Sequence, residues 1–177
     1  LLAIPNLKSQ DYYSFVSEKP QWNVYLENSM CQTSVDTSLL RYYFEGDTTI
    51  NDTTYHKLVL EKGDTVNPKI RTVGGIREVD KKVYYIGEDQ LGHPSYKEIL
   101  LYDFSKEIGD TIFHDKTSGY LNFYSEILEI DSIKIGDKFR KRFKVDNHWF
   151  YHNPDYWVEG IGSIKNGLLG HITDIPT

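Results

Sequence analysis

The chain has 177 residues, a formal net charge of −6 and a sequence pI near 5.5. That length suits one domain with a core of its own, and the acidic balance excludes the basic footprint of a nucleic-acid binder. Hydrophobic residues make up only 39%, but 14 Tyr, 8 Phe and 3 Trp restore the buried area, because each aromatic covers about 150–250 Å2.

Residues 1–20 are weakly patterned and read as a loosely packed lead-in. Trp22, Val24 and Leu26 share one face of a predicted strand, as Leu40, Tyr42 and Phe44 do in the next. Asn51-Asp52 then punctuates, and Thr53–Leu60 resumes with β-branched and aromatic residues. A hairpin is predicted with arms Gly75–Val79 and Lys82–Ile86 around Asp80-Lys81, followed by a polar loop over 87–95. Glu98–Phe104 is apolar on nearly both faces, which places it at a sheet centre.

The stretch 120–135 is long for one strand and predicts a bend or bulge near Asp131-Ser132. Phe139, Lys141, Phe143 and Val145 alternate with Arg140, Arg142 and Lys144, so the basic residues are expected on one solvated strand face. His148–His152 reads as an aromatic strand, and Tyr156-Trp157-Val158 leads on to the glycines that follow. Gly160-Ile161-Gly162-Ser163 implies a tight bend or close backbone approach, and Leu168-Leu169 closes the last predicted strand. Gly-Asp recurs at 46–47, 109–110 and 136–137, each time between alternating runs, where it reads as a turn.

No segment carries a long 3.6-residue period and no Gly/Ser-rich linker divides the chain. The expectation is a single all-β domain over residues 1–177, an antiparallel β-sandwich or barrel-like fold of about nine to eleven short strands with little helix. Its predicted core is Trp22, Leu40, Tyr42, Phe44, Leu58, Leu60, Leu100, Tyr102, Phe104, Phe143 and Val145. No apolar run approaches the ~20 residues of a membrane-spanning helix.

Four phrases in order resemble a group of uncharacterised secreted proteins of Bacteroidetes-type bacteria. They are Glu45-Gly46-Asp47-Thr48-Thr49-Ile50-Asn51, Gly75-Ile76-Arg77-Glu78, Leu100–Phe104 followed by Gly109-Asp110-Thr111, and Trp157–Ser163. The resemblance runs from about Trp22 to Leu169. It implies a secreted or cell-envelope location, with a signal peptide removed upstream of Leu1, and it brings no assigned chemistry. Members often continue into a C-terminal sorting domain, which these residues do not include. The group usually has Asn-Gly where this chain has Asn51-Asp52, so the tight I′ hairpin there has weaker support.

Glu78 and Glu159 are the carboxylates that a glycosidase mechanism would need. Their expected role is structural: Arg77, Glu78 and Glu159 serve as polar anchors, with Glu159 held by Arg77 or by backbone amides. No nucleophile elbow, phosphate loop or dinucleotide fingerprint appears, so no cofactor, metal or catalytic residue is assigned. His148 and His152 would lie about 13 Å apart along one strand, too far for one metal. Cys31 stands alone and forms no intramolecular disulfide. The aromatic residues Trp149, Tyr151, Tyr156 and Trp157, beside Asn147, Asn153 and Asp155, are the candidate ligand surface on which sugar rings would stack. The expected activity is therefore that of a non-enzymatic binding or structural module whose partner is a glycan or another envelope protein. A carbohydrate-active hydrolase using Glu78 and Glu159 is the alternative.

Overall fold

A computed structural model describes residues 11–17, 20–28, 36–63, 68–88, 94–114, 123–148 and 152–169. These residues form eleven strands and no helix. In chain order they are β1 (Trp22–Asn28), β2 (Asp36–Ile50), β3 (Thr53–Lys62), β4 (Lys69–Val79), β5 (Lys82–Glu88) and β6 (Pro94–Asp103). Then come β7 (Thr111–His114), β8 (Phe123–Ile135), β9 (Lys138–His148), β10 (His152–Val158) and β11 (Gly162–Ser163). Sheet I runs β1-β2-β3-β4-β5-β6 and sheet II runs β11-β10-β9-β8-β7, every pair antiparallel. The all-β sandwich or barrel-like expectation holds. No helix among the described residues is long and apolar enough to cross a membrane.

Local chemistry explains the hairpins. Asn51 (φ 49°) and Asp52 (φ 60°) close β2–β3, and Asp80 (φ 51°) and Lys81 (φ 63°) close β4–β5. Positive φ at both central residues is the I′ signature, so Asn51-Asp52 makes that turn without glycine. The three Gly-Asp phrases serve three purposes. Gly136-Asp137 turns β8 into β9, with Ile135 opposite Lys138. Gly109-Asp110 leads into β7, its backbone bonding both ways to Ile127. Gly46-Asp47, expected as a turn, is instead a bulge inside the continuous strand β2, where Gly46 sits at φ 67° and the register slips between Phe44 and Asp47. Likewise the irregularity in β8 falls at Leu128, between Ile127 and Glu129, rather than near Asp131.

The core draws on both sheets: Leu58, Ile76, Val83 and Leu101 from one, Ile127, Phe143, Val145 and Trp157 from the other. Of the predicted core, Tyr42, Phe44 and Leu100 are half-buried against it and the remainder are buried. Glu98–Phe104 was expected at a sheet centre, but β6 is the edge strand of sheet I. Side chains from both of its faces are nonetheless buried, Leu101 and Tyr102 both fully, and its edge is covered. The chain crosses there into sheet II, and the His114 Nδ1–H of β7 donates to the Leu100 carbonyl at 2.8 Å. The opposite edge is closed by Trp22, whose Nε1–H donates to the Ile161 carbonyl at 2.6 Å.

Residues 11–17 are no loose lead-in. Phe15 is fully buried and packs against Trp22, Tyr102 and Phe104, with ring centroids 5.4–6.1 Å away. Leu168 and Leu169 are buried too, but in turns after the two-residue strand β11. Leu168 accepts the Tyr102 hydroxyl at 2.7 Å.

Candidate functional site

Glu78 and Glu159 come from different sheets, and residues 12–14 join them. Glu78 leaves β4 half-buried, and its two carboxylate oxygens accept the hydroxyls of Tyr12 and Ser14. Glu159 follows β10 and is buried; its carboxylate accepts the backbone amides of Lys141 and Tyr13. Its own amide donates to the Lys141 carbonyl at 3.1 Å, and its carbonyl accepts Arg140 Nη1 at 3.2 Å. Burial pushes the Glu159 carboxyl above the ordinary range, opposed by the charges of Lys141 and Lys81. The Tyr12 phenol is pushed far up, first by burial, then by its bond to Glu78 and the negative charge of Glu78, Glu159 and Asp103. Glu78 thus meets Tyr12 directly, Glu159 acts on it through charge alone, and each acid has its donors.

Arg77 lies on the other face of β4. It makes a bidentate pair with Glu98, at 2.5 and 2.6 Å, and stacks 4.4 Å over the Tyr84 ring. Tyr55 adds its hydroxyl to Glu98 at 2.8 Å. The Glu98 bond holds the Arg77 guanidinium more firmly protonated than usual. Arg77 and Glu159 were one expected pairing; the structure gives Glu159 its backbone amides instead.

The aromatic candidates separate. Trp149 and Tyr151 lie outside the described residues. Trp157 is corrected to core: it is fully buried, edge-on to Tyr102 at 5.1 Å, because alternation along β10 points it into the sandwich. Tyr156 points outward, 39% exposed, with the Arg142 guanidinium 4.7 Å over its ring. Arg142 in turn holds Asp131 through a bidentate pair at 2.8 and 2.5 Å, which keeps that carboxyl below its usual range.

The basic face of β9 is not uniformly solvated. Arg140 is buried because residues 12–14 wrap over it, with the Tyr13 ring 4.5 Å from the guanidinium. His148 and His152 are also closer than one-strand spacing implied: they end β9 and begin β10 as a direct cross-strand pair. Among the described residues no group of three His, Cys, Asp or Glu side chains could hold a metal ion.

Two arrangements escaped the sequence reading. On the outer face of sheet II, Phe113, Tyr124 and His148 stand in cross-strand register. Their rings are 6.0 Å and 4.4 Å apart, and Phe113 is 68% exposed. Glu126 and Asp146 lie 3.7 and 3.6 Å from His148 Nε2. Inside, His114 Nε2 meets Ser125 Oγ at 2.9 Å, and that hydroxyl donates to Asn147 Oδ1 at 2.6 Å. The pair has nucleophile-and-base spacing, yet both residues are buried, and the chain ties β6, β7, β8 and β9 together. Only pairing register reveals either arrangement, because the members lie 11–35 residues apart in sequence.

A cleft of about 420 Å3 opens where the sheets meet. It is lined by Lys81, Lys106 and Lys141, by the apolar Phe104 and Ile130, and by Asp80, Ser105 and Glu107. No family model, curated protein or solved structure matches this chain.

Proposed function

We propose that the chain is a non-enzymatic binding module of the cell envelope, and that its ligand surface is the outer face of sheet II carrying Phe113 and Tyr156. The supporting observation is how the two candidate catalytic carboxylates are used. Glu78 accepts two hydroxyls and Glu159 two backbone amides, all from elements that hold the sheets together. A two-carboxylate hydrolase needs both groups at a substrate, whereas Glu159 is 2% exposed. The exposed rings, flanked by Arg142, Lys144 and Glu126, suit a glycan, whose sugar faces stack on aromatics while polar groups orient them. The envelope setting rests on the resemblance of the four sequence phrases.

One observation favours the hydrolase reading: residues 12–14 bond both Glu78 and Glu159, so one segment brings the two carboxylates together. It requires residues 12–14 to leave. A glycan array read with Phe113→Ala and Tyr156→Ala separates the readings. The binding reading expects one polysaccharide retained, each variant weakening it roughly three- to tenfold at unchanged melting temperature. Glycoside cleavage abolished by Glu159→Gln would instead establish the hydrolase.

A further inference from the structure

The cleft between the sheets presents three cations from three separate elements. Lys81 belongs to the β4–β5 turn, Lys106 to the turn after β6, and Lys141 to β9. Each sits on a segment with its own local contacts. Lys81 has its ammonium 5.6 Å from the Tyr12 ring, and Lys141 is pinned through its backbone to Glu159. The Lys106 turn is closed by Glu107 N–H donating to Asp110 Oδ2 at 3.0 Å, and by Ser105 bonding to Asp103. Among the described residues neither Lys106 nor Lys141 is within ion-pair distance of a carboxylate. Three lysines lining one concavity of the size typical for small ligands, roughly 300–1,000 Å3, make it a candidate anion site.

We propose that this cleft binds a small organic monocarboxylate, its carboxylate met by Lys81, Lys106 and Lys141 and its apolar flank resting on Phe104 and Ile130. Asp80 and Glu107, which also line the cleft, offset part of the positive charge. The field therefore suits one carboxylate and opposes a polyanion, for which like-charge contacts are unfavourable. This site is separate from the outer face of sheet II and does not depend on the glycan reading.

The test is calorimetric titration of the chain at low ionic strength with glucuronate, benzoate, inorganic sulfate and glucose. Glucuronate or benzoate is expected to bind at one site, and which of them binds tells an acidic sugar from an aromatic acid. Lys106→Ala and Lys106→Gln should each weaken that binding about tenfold with melting unchanged, as expected for a lost charge-assisted contact. The proposal is overturned if neither carboxylate binds, if glucose or sulfate binds as tightly, or if both Lys106 variants retain full affinity.

Discussion

Phe15 offers the sharpest test of how the sheets are sealed. Its ring is fully buried between Trp22, Tyr102 and Phe104, so Phe15→Ala removes the principal apolar contact of residues 11–17. If the segment stays docked, the cavity should cost about 3–5 kcal/mol, the usual range for a buried Phe→Ala. Ordering those residues costs roughly 1–2 kcal/mol each in backbone entropy. Without Phe15 the bonds to Glu78 and Glu159 must hold the segment alone, and detachment becomes the cheaper response. Urea unfolding gives the total loss, and hydrogen exchange of the Tyr13 amide reports whether the segment has lifted. A loss of at least ~3 kcal/mol, or a smaller loss with Tyr13 protection gone, fits this account. A loss below ~1 kcal/mol with Tyr13 still protected would refute it.

Glu159→Gln should change the pH dependence of stability. A carboxyl raised by burial makes the folded state bind protons more tightly than the unfolded chain, so stability falls as pH rises from the ordinary Glu value through the raised one. Urea midpoints between pH 4 and 8 should show that fall in the wild type and less of it in the variant; a steeper fall in the variant would contradict the burial argument. Trp157→Ala should cost about 3–5 kcal/mol and Phe113→Ala within ~0.5 kcal/mol, as their burial dictates; thermal denaturation that ranks them otherwise would undo the assignment of faces. Gly46→Ala should cost about 1–2 kcal/mol for its left-handed backbone alone. Gly162→Ala should cost more, because its new Cβ would sit 2.8 Å from the buried Tyr102 hydroxyl, and chemical denaturation of the two variants gives the order.

Alternation and turn chemistry made the strands legible, because period-2 burial and the Asp80-Lys81 turn are local properties. Tyr102, Phe104 and Phe143 were readable as core for the same reason. What sequence could not supply was strand order. Glu98–Phe104 has the composition of a central strand, yet it is an edge strand whose edge is covered by the crossing to β7. The buried state of Arg140 depends on Tyr13, more than a hundred residues away. Trp157 and Tyr156 are adjacent and chemically alike, and only the parity of β10 separates core from surface. The partnership of Glu78 with Tyr12 and Ser14 likewise spans too much sequence for any spacing rule.

Both sheets are meanders in which every strand pairs with its neighbour in sequence. Each hairpin can therefore zip at the small loop-closure cost of a short connection. The contacts that shut the sandwich are of another kind: Trp22 to Ile161, Tyr102 to Leu168 and Tyr13 to Glu159 join residues 66 to 146 positions apart. During synthesis the Trp22 indole and the Tyr13 amide must wait for residues 159–161 before these bonds can form. In this topology the bonds that shut the sandwich form last, and a truncation near residue 160 would remove the Ile161 carbonyl that accepts Trp22 and the Leu168 carbonyl that accepts Tyr102.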